Sequence, residues 1–182
     1  MQTSVNPAGQ PIGIAGGQYD NAEGVQVDSA FNTGSASIPF GCAVQQDTSA
    51  DNERGAKALD GNGNIVIGIN AWSFDHAPGA PTGDIDSVGL KQYAGMQLAR
   101  TGKWLVPVAA GITITPGDRG FTNFEADGGN TRVGIWSNAN TGGHYIDCTK
   151  QAVFRSRVFT APTVTGGSAL VAVLEVDFVN KP

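Results

Sequence analysis

The chain is poor both in the residues that build helices and in those that perform chemistry. Among its 182 residues are only 6 Leu, 4 Glu and 5 Lys, with 2 His, 2 Cys and 2 Met. So few unbranched helix formers exclude a helical bundle or a coiled coil. The two cysteines, Cys42 and Cys148, are far apart in sequence and form no CxxC pair, which removes zinc-ribbon and thioredoxin-type motifs. They are expected as buried thiols, and two cysteines alone do not reveal whether they pair. Long apolar runs are also missing. The most apolar stretch, Leu105–Ile114, is broken by Pro107 and Gly111 and falls well short of the roughly 20 residues of a membrane-crossing helix. The opening residues, MQTSVNPAGQ, have neither the basic nor the apolar region of a secretory signal. Cations are outnumbered, 11 Lys and Arg against 16 Asp and Glu, for a net charge of −5. That is the wrong sign for a surface that releases counterions from nucleic acid. Lys150, Arg155 and Arg157 are read as a solvated strand face.

What the chain does have is 26 Gly and 9 Pro, together with 16 Val, 11 Ile and 14 Thr. β-branched residues favour strands, and glycine and proline punctuate them. The composition predicts an all-β fold, an antiparallel sandwich or small barrel, with one core.

Residues 1–30 stand apart. They hold five Gly, two Pro and three acids (Asp20, Glu23, Asp28) but no Lys or Arg. Their apolar residues come in short pairs, Ile12 with Ile14 and Val25 with Val27. This pattern predicts an extended arm that orders against a neighbour, leaving residues 31–182 as the β-rich domain. Within that domain, Ser37–Val44 reads as one strand with Ile38, Phe40 and Cys42 on one face. Gln45–Lys57 reads as an exposed loop. Asp60–Asn64 has the Gly/Asn chemistry of a hairpin turn, leading into Ile65, Ile67 and Ile69 on a common face. Asp86–Met96 has room for a short helical turn. Further strands are expected at Lys103–Val108, Gly111–Thr115, Gly120–Glu125, Thr131–Ser137, Gln151–Phe159 and Ala169–Phe178. The last of these starts apolar throughout and ends alternating.

Chemistry is sparse. His76 beside Asp75, and His144 three residues before Asp147, are the only histidines, and neither stands in a GxSxG or HExxH context. A loop histidine holding a hydrogen bond is the simpler reading, with a hydrolase as the remote one. Asp60, Asn62 and Asn64 place oxygens at positions 1, 3 and 5 of a calcium loop, but Ile65 and Ala71 stand where that loop needs Gly and Glu. Gly13–Gly17 lacks the Lys-Ser/Thr of a phosphate loop. No catalytic, cofactor or metal residue is therefore assigned. Trp72, Trp104 and Trp136 offer a binding alternative, a sugar-stacking platform on a receptor- or glycan-binding module, against ordinary core packing.

As a whole the chain resembles the decoration, or structural cement, proteins of tailed-phage capsids. The resemblance is carried by Lys103-Trp-Leu-Val-Pro-Val-Ala-Ala-Gly111 followed by Ile112-Thr-Ile-Thr-Pro-Gly-Asp118. It is also carried by Ser168–Asp177 after Thr165-Gly-Gly167, and by the Asn6–Gly9 segment of the arm. It implies a small β-rich protein on the outer surface of the virion capsid, made in the bacterial host's cytoplasm and usually trimeric. It implies the major capsid protein as partner, with no cofactor, nucleic acid or membrane involved. On that reading the arm makes the capsid contact, through Ile12, Ile14, Tyr19, Val25 and Val27.

Overall fold

The computed structural model describes residues 15–19, 24–49, 54–61, 63–72, 89–126, 132–162 and 168–179. Ile12, Ile14, Asp75, His76 and the turns at 127–130 and 165–167 lie outside them. Among the described residues fourteen strands are formed and no helix occurs. The fold is all-β, as the β-branched composition predicts.

The first half builds a five-stranded barrel. Its staves are β1 (Val27–Asn32), β3 (Ala43–Gln46), β4 (Gly55–Ala58), β5 (Val66–Ala71) and β7 (Gly95–Ala99), in the spatial order β1-β4-β3-β5-β7. All pairings are antiparallel except β1 with β4, which is parallel and only two rungs long, Phe31 opposite Gly55 and Asn32 opposite Ala56. A short ribbon, β2 (Ile38–Pro39) with β6 (Gly89–Leu90), caps one end. Ile38, Phe40 and Leu90 from this cap join Val44, Ala56, Met96 and Leu98 in a buried cluster.

The second half builds around β14 (Ser168–Asp177). Along one edge it pairs with β8 (Thr101–Pro107) from Val171 opposite Pro107 to Asp177 opposite Thr101. Along the other it pairs first with β13 (Phe159–Pro162) and then with β12 (Ala152–Phe154). Side chains alternate across a strand, and both faces of β14 are covered. Ala172, Leu174 and Val176 enter the main core with Trp104, Val106, Trp136 and Phe154, which also receives Ala43, Ile69 and Ala99 from the barrel wall. Val171 and Val173 point the other way, onto Ala15, Leu105 and Ala161. Past Leu174 one face opens at Glu175, which explains the change from apolar run to alternation. A three-stranded sheet, β10 (Trp136–Ser137), β9 (Phe121–Asn123) and β11 (Tyr145–Asp147), contributes Trp136 and Ile146 to the main core.

Several local expectations are corrected. Ser37–Val44 is not one strand: it turns at Phe40 and Gly41, where Gly41 has φ +81. Gln45 and Gln46 belong to β3, and Gly55–Lys57 to β4, so the expected loop is shorter at both ends. The Asp60–Asn64 turn does not join a hairpin, because β3 lies between β4 and β5 and pairs with both. Ile65 is 74% exposed while Ile69 is fully buried, so the three isoleucines do not share one environment. The region given a helical turn holds β6 and the start of β7. Gly111–Thr115 forms no strand, and Thr131–Ser137 shortens to β10. Gln151–Phe159 splits into β12 and β13, and the Ser156 hydroxyl accepts the Val173 N–H at 2.8 Å across the break.

Candidate functional site

The residues picked out for chemistry do not converge. His144 Nδ1 pairs with Glu125 Oε1 at the surface, beside Gly142 and Gly143, both in the left-handed region. Asp60 is held by Lys57 Nζ at 2.7 Å, Asn64 Nδ2 at 2.7 Å and Gln45 Nε2 at 3.0 Å. These donors, the Lys57 hydrogen bond first, lower the Asp60 carboxyl to about 2. Asn64 thus presents its amide nitrogen to Asp60, and the turn reading accounts for the described residues. No group of three or more His, Cys, Asp or Glu is placed to hold a metal among the described residues. Cys42 and Cys148 are free thiols, and burial pushes each up to about 12, so neither supplies a thiolate at neutral pH.

The tryptophans pack inward. Trp136 is fully enclosed and its Nε1 donates to Gly41 O at 3.2 Å. Trp104 is buried, with Nε1 donating to Thr101 O at 3.0 Å. Trp72 is half-buried against the barrel cluster. Three ring faces for a sugar are therefore not presented, and the platform expected of a glycan-binding module is not formed.

Residues 15–19 lie along the free edge of β8. Gly16 N donates to Leu105 O at 2.6 Å, Leu105 N to Gly17 O at 2.9 Å, and Tyr19 N to Lys103 O at 2.9 Å. Ala15 is buried there, and Tyr19 packs on the same cluster. Val25 packs on the main core over Gly102. Val27 is 40% exposed at the start of β1. Of the described contact candidates, two thus face this chain's own core and one faces outward. β1 itself runs across the boundary expected at residue 30.

Two surface features remain. On its edge away from β7, β1 engages β4 only near its end, through Phe31 N to Arg54 O at 3.1 Å and Thr33 N to Ala56 O at 2.9 Å. Below these bonds the barrel wall parts into a cleft of about 400 Å³, lined by Val27, Ser29, Ala30, Arg54, Ile67 and Leu98. A second cleft of about 460 Å³ lies where β12 and β13 separate, between Tyr19, Phe159, Arg155 and Arg157. Arg155 Nε donates to Glu175 Oε2 at 2.7 Å, an exposed pair of small energetic weight. Both clefts are broad, polar-rimmed and open, which suits contact with another macromolecule better than enclosure of a reacting group. No periodicity in the sequence marks either, since both arise where strand pairing stops.

The described residues thus form an all-β domain with strand edges and open clefts. The family model described as structural cement protein (E217 gp24/Pam3 gp6) matches residues 1–175, and the chain belongs to that family. Among solved structures, a chain of "The capsid of Myoviridae Phage XM1" aligns with a TM-score of 0.62 at 13% identity, covering 91% of each chain, and so shares the fold. No curated protein matches with significance. The resemblance read from Lys103–Asp118 and Ser168–Asp177 is thus upheld, and the matched region extends to residue 1.

Proposed function

We propose that this phage cement protein binds the outer surface of an assembled head and ties neighbouring coat subunits together, acting without catalysis or cofactor. It is a structural protein of the virion capsid, and its partners are capsid proteins. The reading is carried by one observation: the family match spans residues 1–175, from the N-terminal segment into β14. The finer assignments are a homotrimeric state and an arm, N-terminal to Ala15, that reaches a neighbouring subunit. The edge of β1 away from β7, where Val27–Ala30 have no partner strand among the described residues, is suited to receive an added strand. Many copies on a closed shell let individually modest contacts act together. The test is to add purified full-length protein to heads assembled without it, then measure co-sedimentation and the temperature at which heads release DNA. Saturable binding with a raised release temperature is expected; no co-sedimentation overturns the proposal.

A further inference from the structure

Among the described residues, nine glycines occupy the left-handed region of φ, and one other residue joins them: Tyr93, at φ +63. Tyr93 is the third residue of the tight turn Lys91–Ala94, closed by Ala94 N donating to Lys91 O at 3.0 Å. A positive φ at that position calls for Gly or Asn, and a bulky side chain there is strained. This chain meets the same demand with glycine at Gly16, Gly41 and Gly117. Burial does not repay the strain at Tyr93, because its side chain is 75% exposed, the most exposed large apolar residue described. Neither local conformation nor core packing therefore accounts for tyrosine here.

The base beneath the ring is rigid. Tyr93 N donates to Asn32 O at 2.6 Å, and Gln92 Nε2 donates to Thr33 O at 3.2 Å. Asn32 is itself fully buried and bonded on every side. Its Nδ2 donates to Ala36 O and Leu90 O, both at 2.9 Å, and its Oδ1 accepts Gly34 N at 3.0 Å. A ring held out on such a base loses little freedom on docking. Tyrosine is among the residues that dominate binding energy at interfaces, supplying a large apolar face with a polar tip.

We infer that Tyr93 is an anchor of the docking face, its ring entering an apolar pocket on the coat subunit with Lys91 and Gln92 at the rim. The inference rests on the cement reading above and places this contact at the capped end of the barrel, apart from the arm. A coat subunit is favoured over a second copy of this chain because the cement family to which the chain belongs makes capsid proteins its partners.

The test uses full-length protein carrying Tyr93→Asn or Tyr93→Phe, with heads assembled without this protein. Asparagine tolerates the left-handed backbone, so Tyr93→Asn is expected to raise the urea unfolding midpoint while weakening head binding by about 30-fold or more. Tyr93→Phe keeps the ring and is expected to bind within a few-fold of wild type. Native mass in solution is expected to be unchanged by either. Wild-type binding with Tyr93→Asn equally tight overturns this inference alone, as does a change of native mass that moves Tyr93 to a contact between copies. Failure of the wild type to bind heads overturns the cement reading and this inference with it.

Discussion

Gly16 and Gly41 meet backbone to backbone where the segment on β8 crosses the turn between β2 and β3. A β-carbon on Gly41 would lie 2.6 Å from Pro107 Cδ and 2.9 Å from Gly16 N, at a φ of +81. Gly41→Ala therefore combines a left-handed penalty of roughly 1–2 kcal/mol with overpacking of roughly 1–3 kcal/mol. A loss of about 2–5 kcal/mol is expected in urea unfolding. Asp60 sets a second expectation at this scale. Its folded carboxyl lies at about 2, against an ordinary value of 3.8. A depressed carboxyl contributes stability that is present above the unfolded value and lost as pH falls through the folded one. Stability should thus decline between about pH 4 and pH 2, and Asp60→Asn should make that acid limb shallower. A pH series of unfolding midpoints checks this. The Asp-Gly-Asn-Gly-Asn sequence made the turn legible, but Gln45, which also donates to the Asp60 carboxylate, comes from β3 and is not connected to it by local spacing.

At the scale of elements, β14 is the strand on which both faces of the second half depend. Leu174 is fully buried in the main core, and Leu174→Ala is expected to cost about 2–5 kcal/mol by chemical denaturation, with the spread set by how far the site collapses. This strand was readable in sequence because burial on two faces leaves an apolar run and burial on one leaves alternation. The barrel staves were less so. β4 is only Gly-Ala-Lys-Ala and carries no strand signature of its own; its pairing with β3 and β1 creates it. The hairpin expected across Asp60–Asn64 failed for a related reason. Turn residues specify a reversal of the chain, but the neighbour each stave takes depends on closing the barrel, a long-range matter. Tyr93 went unnoticed because its oddity is a backbone angle, and no local residue pattern announced it.

At the scale of the molecule, the N-terminal segment divides into a part built into the domain and a part proposed to reach beyond it. Removing residues 1–14 is expected to lower occupancy on heads. Removing residues 1–19 also strips the bonds that Gly16, Gly17 and Tyr19 make with β8, and is expected to lower the unfolding midpoint as well. Equal occupancy for full-length and 1–14-deleted protein would assign the arm no part in binding. All-β class, one dominant core and phage-cement kinship were legible because they rest on composition and on two long segments. The clefts were not, since they exist only where strands from distant parts of the chain fail to meet.

The strand β8 lies between the first described segment, residues 15–19, and the last strand, residues 168–177. Contacts that close so long a loop form slowly and only after the loop's entropy has been spent. A ribosome must therefore release β14 before the central sheet can exist, however early the barrel staves have formed. A chain truncated before β14 would leave β8 without its longest pairing partner and without the β14 side chains that share its two clusters. Synthesis through β14 thus becomes a condition for a finished domain, and a chain ended before it would carry a folding defect rather than a binding defect.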